Sequence, residues 1–365
     1  MYTTDTFHYV RPIRSSFLFF LIFCVYTSPV HGKVKEFGKR LTIRPVAIRN
    51  ISYNYKGDLF AVPNFVSAGS VALFWVNEQG NIAPVPSRLS EKDFVRSAGM
   101  FHLRKKNEDQ PGMAFISLPE LLTGYSVDFA RESNKLAIAG EKTVIIYEEK
   151  ETWEPVKSLE VGISVTRAVF SPDESRLAVL SEGKCFLFNT ATYALITILE
   201  PKEECRFKDV TFSNDSRKCA LLEFRSVMFD FGTRVRIYYS DRGNHDRDLP
   251  YFETRPSSEP GENLPILSYS PGDTAIAVSL PTAFSGKTYL IKSNDGTVLR
   301  EFKGPCHAFS VDGTLFAVYG TVYNVNTWKS LGKFSRSTRT CTFSPTERVL
   351  IAVTQDAIRR YRIEE

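Results

Sequence analysis

The chain has 365 residues, 43% apolar and 24% charged, a balance that suits a soluble globular fold large enough for a sizeable core. Its formal charge is +5, and the densest basic run, Arg104-Lys105-Lys106, is followed at once by Glu108 and Asp109. A net charge this small, without clustered basic residues, argues against a nucleic-acid partner, and 28 Phe with 16 Tyr favour strands over helices.

Arg11 and Arg14 precede an unbroken apolar run, Phe17 to Tyr26, which leads into Thr27-Ser-Pro-Val-His-Gly32. A basic start, a short apolar stretch and small residues at Val30 and Gly32 predict a signal peptide over 1–32. The run is too short for a bilayer, which needs ~20 apolar residues. Lys33, Lys35, Lys39 and Arg40 follow directly, where positive charge opposes translocation. An uncleaved membrane anchor is therefore the alternative, and contact with a membrane is expected only in that case. The expected location is extracytoplasmic, secreted or periplasmic.

Beyond this point one phrase recurs: a short apolar strand ending in an aromatic, a polar turn, then a second apolar strand. It reads Arg167-Ala-Val-Phe170-Ser-Pro-Asp-Glu-Ser-Arg-Leu-Ala-Val and returns around six other aromatics, Tyr53, Phe129, Phe212, Tyr269, Phe309 and Phe343. Successive anchors lie 76, 41, 42, 57, 40 and 34 residues apart, and a unit near 40 residues is one four-stranded propeller blade. Full units carry two further strands, as in Cys185–Phe188 and Ala194–Leu199, and Asn294-Asp-Gly296 is a strong hairpin turn.

The phrase Phe-Ser-Pro-Asp with its neighbours resembles the WD-repeat and YVTN-type propeller family over residues 41 to 365, although the Gly-His and Trp-Asp dipeptides of typical WD repeats are absent. The fold expected is all-β, a closed propeller of seven blades with eight as the alternative. Residues around 88–122 are read as an insertion, because too few remain after Met113–Ser117 for two more strands. The last unit stops before an outer strand, so the spare segment Leu41–Val46 is expected to complete it, since closure removes an exposed edge.

His102, His245 and His307 have no Cys or second His at ligand spacing, and no G-x-S-x-G, P-loop or dinucleotide fingerprint occurs. Three Trp and no adjacent Cys pair argue against a quinoprotein. No catalytic residue, metal or cofactor is therefore expected. His307 is expected to pack or hydrogen-bond beside its anchor strand. Cys185, Cys205, Cys219, Cys306 and Cys341 form no regular framework and are read as buried thiols, with one bridge possible in an oxidising compartment. Two sequons occur, at Asn50 and Asn214, the second on a hairpin tip that could carry a glycan.

What remains is a binding surface. The second-to-third-strand links at 63–67, 225–232 and 281–285 carry apolar tips, and the candidate binding residues are Phe65, Met228, Phe229, Phe231 and Phe284. The expected function is non-enzymatic binding of a protein or carbohydrate partner. The alternatives are an enzyme with carboxylates at the central channel and an intracellular WD-like scaffold.

Overall fold

In the computed structural model the described residues are 33–36, 41–42, 50–63, 70–76, 82–84, 94–97, 100–103, 114–117, 126–150, 153–163, 165–227, 230–250, 252–253, 265–280, 286–354 and 357–364. They form seven antiparallel sheets arranged as a seven-bladed β-propeller, plus one separate hairpin, Phe94–Ser97 with Met100–Leu103. Blade 3 shows the plan: Val165–Phe170 innermost, then Arg176–Ser181, Lys184–Asn189 and Leu195–Leu199 outermost. Blades 2, 4, 5 and 6 repeat it from the inner strands Ser126–Phe129, Cys205–Phe212, Ile266–Tyr269 and His307–Phe309. Blade 1 begins at Ser52–Tyr53 and blade 7 at Thr340–Phe343.

Burial falls outward along each blade. Second strands such as Leu59–Pro63, Ala275–Leu280 and Val349–Val353 are buried throughout, whereas the outer strand Val298–Lys303 is almost wholly exposed. A strand sandwiched between two neighbouring sheets meets apolar surface on both faces, so it reads as a continuous apolar run rather than an alternation. Seven apolar clusters fill the seven interfaces, including the one where Ile351, Val353 and Ile358 of blade 7 meet Phe60, Val62 and Phe74 of blade 1.

The repeated phrase has a packing reason. Phe170 shares a cluster with Ala137 and Ala139 of the preceding blade, Phe212 with Ala178, Tyr269 with Ala220 and Phe343 with Ala317. A small residue on the preceding second strand leaves room for the ring. Phe129, Phe170, Phe212, Tyr269 and Phe343 are buried, while Tyr53 and Phe309 are only half-buried. Phe309 closes an inner strand of just three residues and leans on Phe316, with ring centroids 4.6 Å apart. The Ser that follows the aromatic closes the turn. Ser171, Ser213 and Ser310 each accept the N–H five residues on, from Arg176, Lys218 and Leu315, at 2.9 Å, and each donates to the Asp two residues on.

Ring closure uses the N-terminal segment, with different bounds from those expected. Lys33–Glu36 pairs Tyr361–Glu364, and Leu41–Thr42 pairs Ala357–Ile358. Residues 43–46 lie outside the described residues. The third strand of blade 7, Ala357–Glu364, is eight residues long, so its outer partner must begin eight positions before Leu41 to cover it. Val34 points into the interface between blades 6 and 7 while its lysine neighbours face outward.

The gap after Tyr53 also resolves. Ile82–Pro84 pairs Phe74–Val76, and Ala114–Ser117 pairs Ser70–Leu73 farther along the same third strand. In the sequence, residues 85–113 therefore fall between the two pieces of the outer strand of blade 1. They interrupt a strand instead of lengthening the link to blade 2.

Candidate functional site

The inner strands enclose a channel of about 400 Å³ with residues from all seven blades in its wall. Neighbouring inner strands splay apart, so they cannot form a ladder with each other, and their buried N–H groups need other partners. Side chains of the preceding blade supply them. Asn50 accepts from the Val127 N–H at 3.2 Å and donates to its carbonyl at 2.6 Å; Ser52 accepts from the Phe129 N–H at 3.0 Å. Asp128 Oδ2 accepts from the Phe170 N–H at 2.9 Å, and Asp209 Oδ2 from the Leu267 N–H at 2.7 Å. Between these carboxylates lies Arg167, with Nε 3.3 Å from Asp209 Oδ1. The chain of contacts runs from blade 1 to blade 6, ending at Ser268 Oγ and His307 Nε2, 2.7 Å apart.

Burial sets the electrostatics of this wall. It raises the Asp128 carboxyl to about 6, against the pull of the Arg167 charge, the Phe170 N–H and the Ser52 hydroxyl. Asp209 is raised for the same reason, again opposed by Arg167. Burial lowers the His307 imidazole to about 3. Its other nitrogen, Nδ1, meets Ser279 Oγ at 2.6 Å, so the ring is neutral with both nitrogens engaged. That matches the packing role expected for it. Among the described residues no three of His, Cys, Asp and Glu converge as metal ligands would.

Both sequons fall within these contacts. Asn50 uses its amide nitrogen on Val127, and Asn214 donates to the Ser270 carbonyl at 2.9 Å and to Asp273 at 2.8 Å. The hairpin tip at Asn214 is therefore joined to blade 5, and a glycan, which leaves the amide one N–H, would remove at least one of these bonds.

At one end of the ring lie the second-to-third links. In blade 3 this link is a two-residue turn, with Glu182 at φ 52° and Gly183 at φ 81° between the paired Ser181 and Lys184. Both positions are left-handed, and a side chain at 183 would strike Arg206. The candidate binding residues Phe65, Met228, Phe229 and Phe284 lie outside the described residues. Phe231 belongs to a strand and not to a loop. The blade 4 ladder continues through Arg225–Gly232, Ser226–Phe231 and Val227–Asp230, leaving only 228–229 as the link. Ser-Val before the tip and Asp-Phe after it contain no Gly or Pro to stop the ladder, so surplus length became ten-residue strands.

A charged group in blade 4 was not foreseen. Glu223, almost fully buried, pairs with Arg234 and with Arg236 at 3.2 Å, and accepts from the Lys202 N–H at 2.9 Å. Asp248 takes Lys202 at 2.9 Å, Arg236 at 3.0 Å and His245 at 2.8 Å. These partners outweigh the cost of burial and hold Asp248 well below the usual carboxylate range. The pattern Arg234-Val-Arg236, two cations on one side of a strand that continues Ile237-Tyr-Tyr239, is the signal that could have revealed it.

No protein-family model matches the chain, and no curated protein is significantly similar to it.

Proposed function

We propose that this propeller is an extracytoplasmic, WD-like binding scaffold that presents one end of its ring to a protein or carbohydrate partner. The observation that carries the reading is the engagement of the channel's polar side chains. Asp128, Asp209 and His307, the groups a channel enzyme would use, hydrogen-bond the neighbouring blade or its serines. Recognition is then left to the links, where such scaffolds carry function. In blades 1, 4 and 5 the second and third strands flanking these links are Leu59–Pro63 with Ser70–Val76, Lys218–Val227 with Asp230–Tyr239, and Ala275–Leu280 with Lys287–Lys292.

The rival reading is hydrolytic, and it rests on Asp128, whose raised pKa near 6 suits a proton-transfer group. Changing Phe229, Phe231 and Phe284 together to Ser should abolish partner capture with the denaturation midpoint nearly unchanged, whereas Asp128→Asn should preserve capture. Capture that survives the triple change would contradict the proposal. For the location, sequencing the N-terminus of the mature protein should give Lys33; an intact Met1 in a cytosolic fraction would contradict export.

A further inference from the structure

Two of the five described cysteines face each other across a blade boundary. Cys306 lies in the link entering blade 6, directly before its inner strand, and Cys341 lies on the inner strand of blade 7. Their sulfurs are 3.3 Å apart, and both side chains are buried among Leu315, Val322, Phe343 and Leu350. The backbones that carry them are fixed. Cys341 pairs Ala352 in the blade 7 ladder, and the Cys306 carbonyl accepts from the Tyr319 N–H at 3.3 Å. A disulfide needs its sulfurs ~2.05 Å apart, an approach of about 1.2 Å that side-chain rotation can supply.

We propose that Cys306 and Cys341 form a disulfide site that staples blade 6 to blade 7, adding a covalent link beside the closing strand. The inference goes beyond the binding reading and does not rest on it. The oxidant is a small-molecule disulfide such as oxidised glutathione. As the last blades assemble, Cys341 loses its proton and attacks one glutathione sulfur, releasing the other glutathione as a thiolate. Cys306 then loses its proton and attacks the Cys341 sulfur of the mixed disulfide, expelling the second glutathione. Two protein thiols and one small disulfide become one protein disulfide and two small thiols, with two electrons transferred to glutathione.

Contact with Cys306 and burial hold the Cys341 thiol well above its ordinary range. Thiolate is the reactive form, so exchange is slow once the ring has closed. The bond forms while the last blades assemble, and it is then shielded from reductant by the same burial. Linking two cysteines 35 positions apart closes a loop that restricts the unfolded chain.

The test is to refold the full chain in oxidised and reduced glutathione, block the remaining thiols, and map linked peptides by mass spectrometry. The expected result is one Cys306–Cys341 peptide pair and an intact mass about 2 Da below that of the reduced chain. The oxidised chain should also melt about 5 °C higher than the reduced one, a difference lost in Cys341→Ser and in Cys306→Ala. A natively folded chain in which every cysteine is still blocked, or a link involving Cys185, Cys205 or Cys219 instead, would overturn the proposal. The peptide map on the unaltered chain decides the matter even if neither variant folds.

Discussion

Phe170 and Asp128 show how a pair of residues ties two blades together. The Phe170 ring is buried against Ala137 and Ala139 of blade 2, while its own N–H is taken by Asp128 of that same blade. Truncation to Ala should leave a cavity at the interface and cost about 3–5 kcal/mol of unfolding free energy, read from a denaturant titration. A loss below 1 kcal/mol would mean that the neighbours collapse into the space. Asp128 makes a pH prediction. Its folded-state pKa is about 6, above the ordinary carboxylate value of about 4. The folded chain therefore binds more protons than the unfolded one in that window, and this residue's contribution to stability falls as pH rises from about 4 to 6. Relative to wild type, Asp128→Asn should gain stability across that window and level off above it; a parallel pair of curves would contradict the assignment. Such roles were only partly visible in the sequence. The aromatic anchors were legible because they recur at blade spacing. The channel aspartates were not, because Asp128 and Asp209 resemble any other acidic residue until the neighbouring inner strand is placed beside them.

At the scale of the element, three outer strands among the described residues are made of two pieces. Blade 1 uses Ile82–Pro84 and Ala114–Ser117, blade 4 uses His245–Asp248 and Phe252–Glu253, and blade 7 uses Lys33–Glu36 and Leu41–Thr42. Each pair lies along one long third strand of seven to ten residues. An outer strand has a neighbour on one side only, so interrupting it breaks few ladder bonds and opens no interior. Replacing residues 85–113 with a short Gly-Ser linker should therefore leave the ring folded, with a melting temperature within about 3 °C of wild type. Collapse of the unfolding transition would show instead that the insertion supports the ring. This is also where the sequence reading was weakest. The two pieces of a split strand are two to four residues long, too short to show a period of two, and Lys33-Val-Lys-Glu36 reads as a charge block beside an export signal. The extended hairpin of blade 4 was mistaken for a loop because its tip is apolar on both sides.

The whole molecule depends on closure. Number and order of blades followed from the seven anchors, and the need for a closing strand followed from the missing outer strand of the last unit. Closure joins Val34 to the cluster shared by blades 6 and 7 and brings it against Gly332 of blade 6, where a side chain would clash. Its ion pair of Lys35 with Glu364 at 2.8 Å is exposed and contributes little. The ladder and the packed Val34 supply the stabilisation. If the ring holds as one unit, losing this strand exposes an edge of blade 7 and weakens interfaces on both sides of it. The direct measurement is native-state hydrogen exchange on a chain lacking residues 33–42, compared with the same chain carrying them. Closure by this strand predicts a lower denaturation midpoint and lost protection in the second strands of blades 1, 6 and 7. An unchanged midpoint, with exchange altered only at the cut, would contradict it.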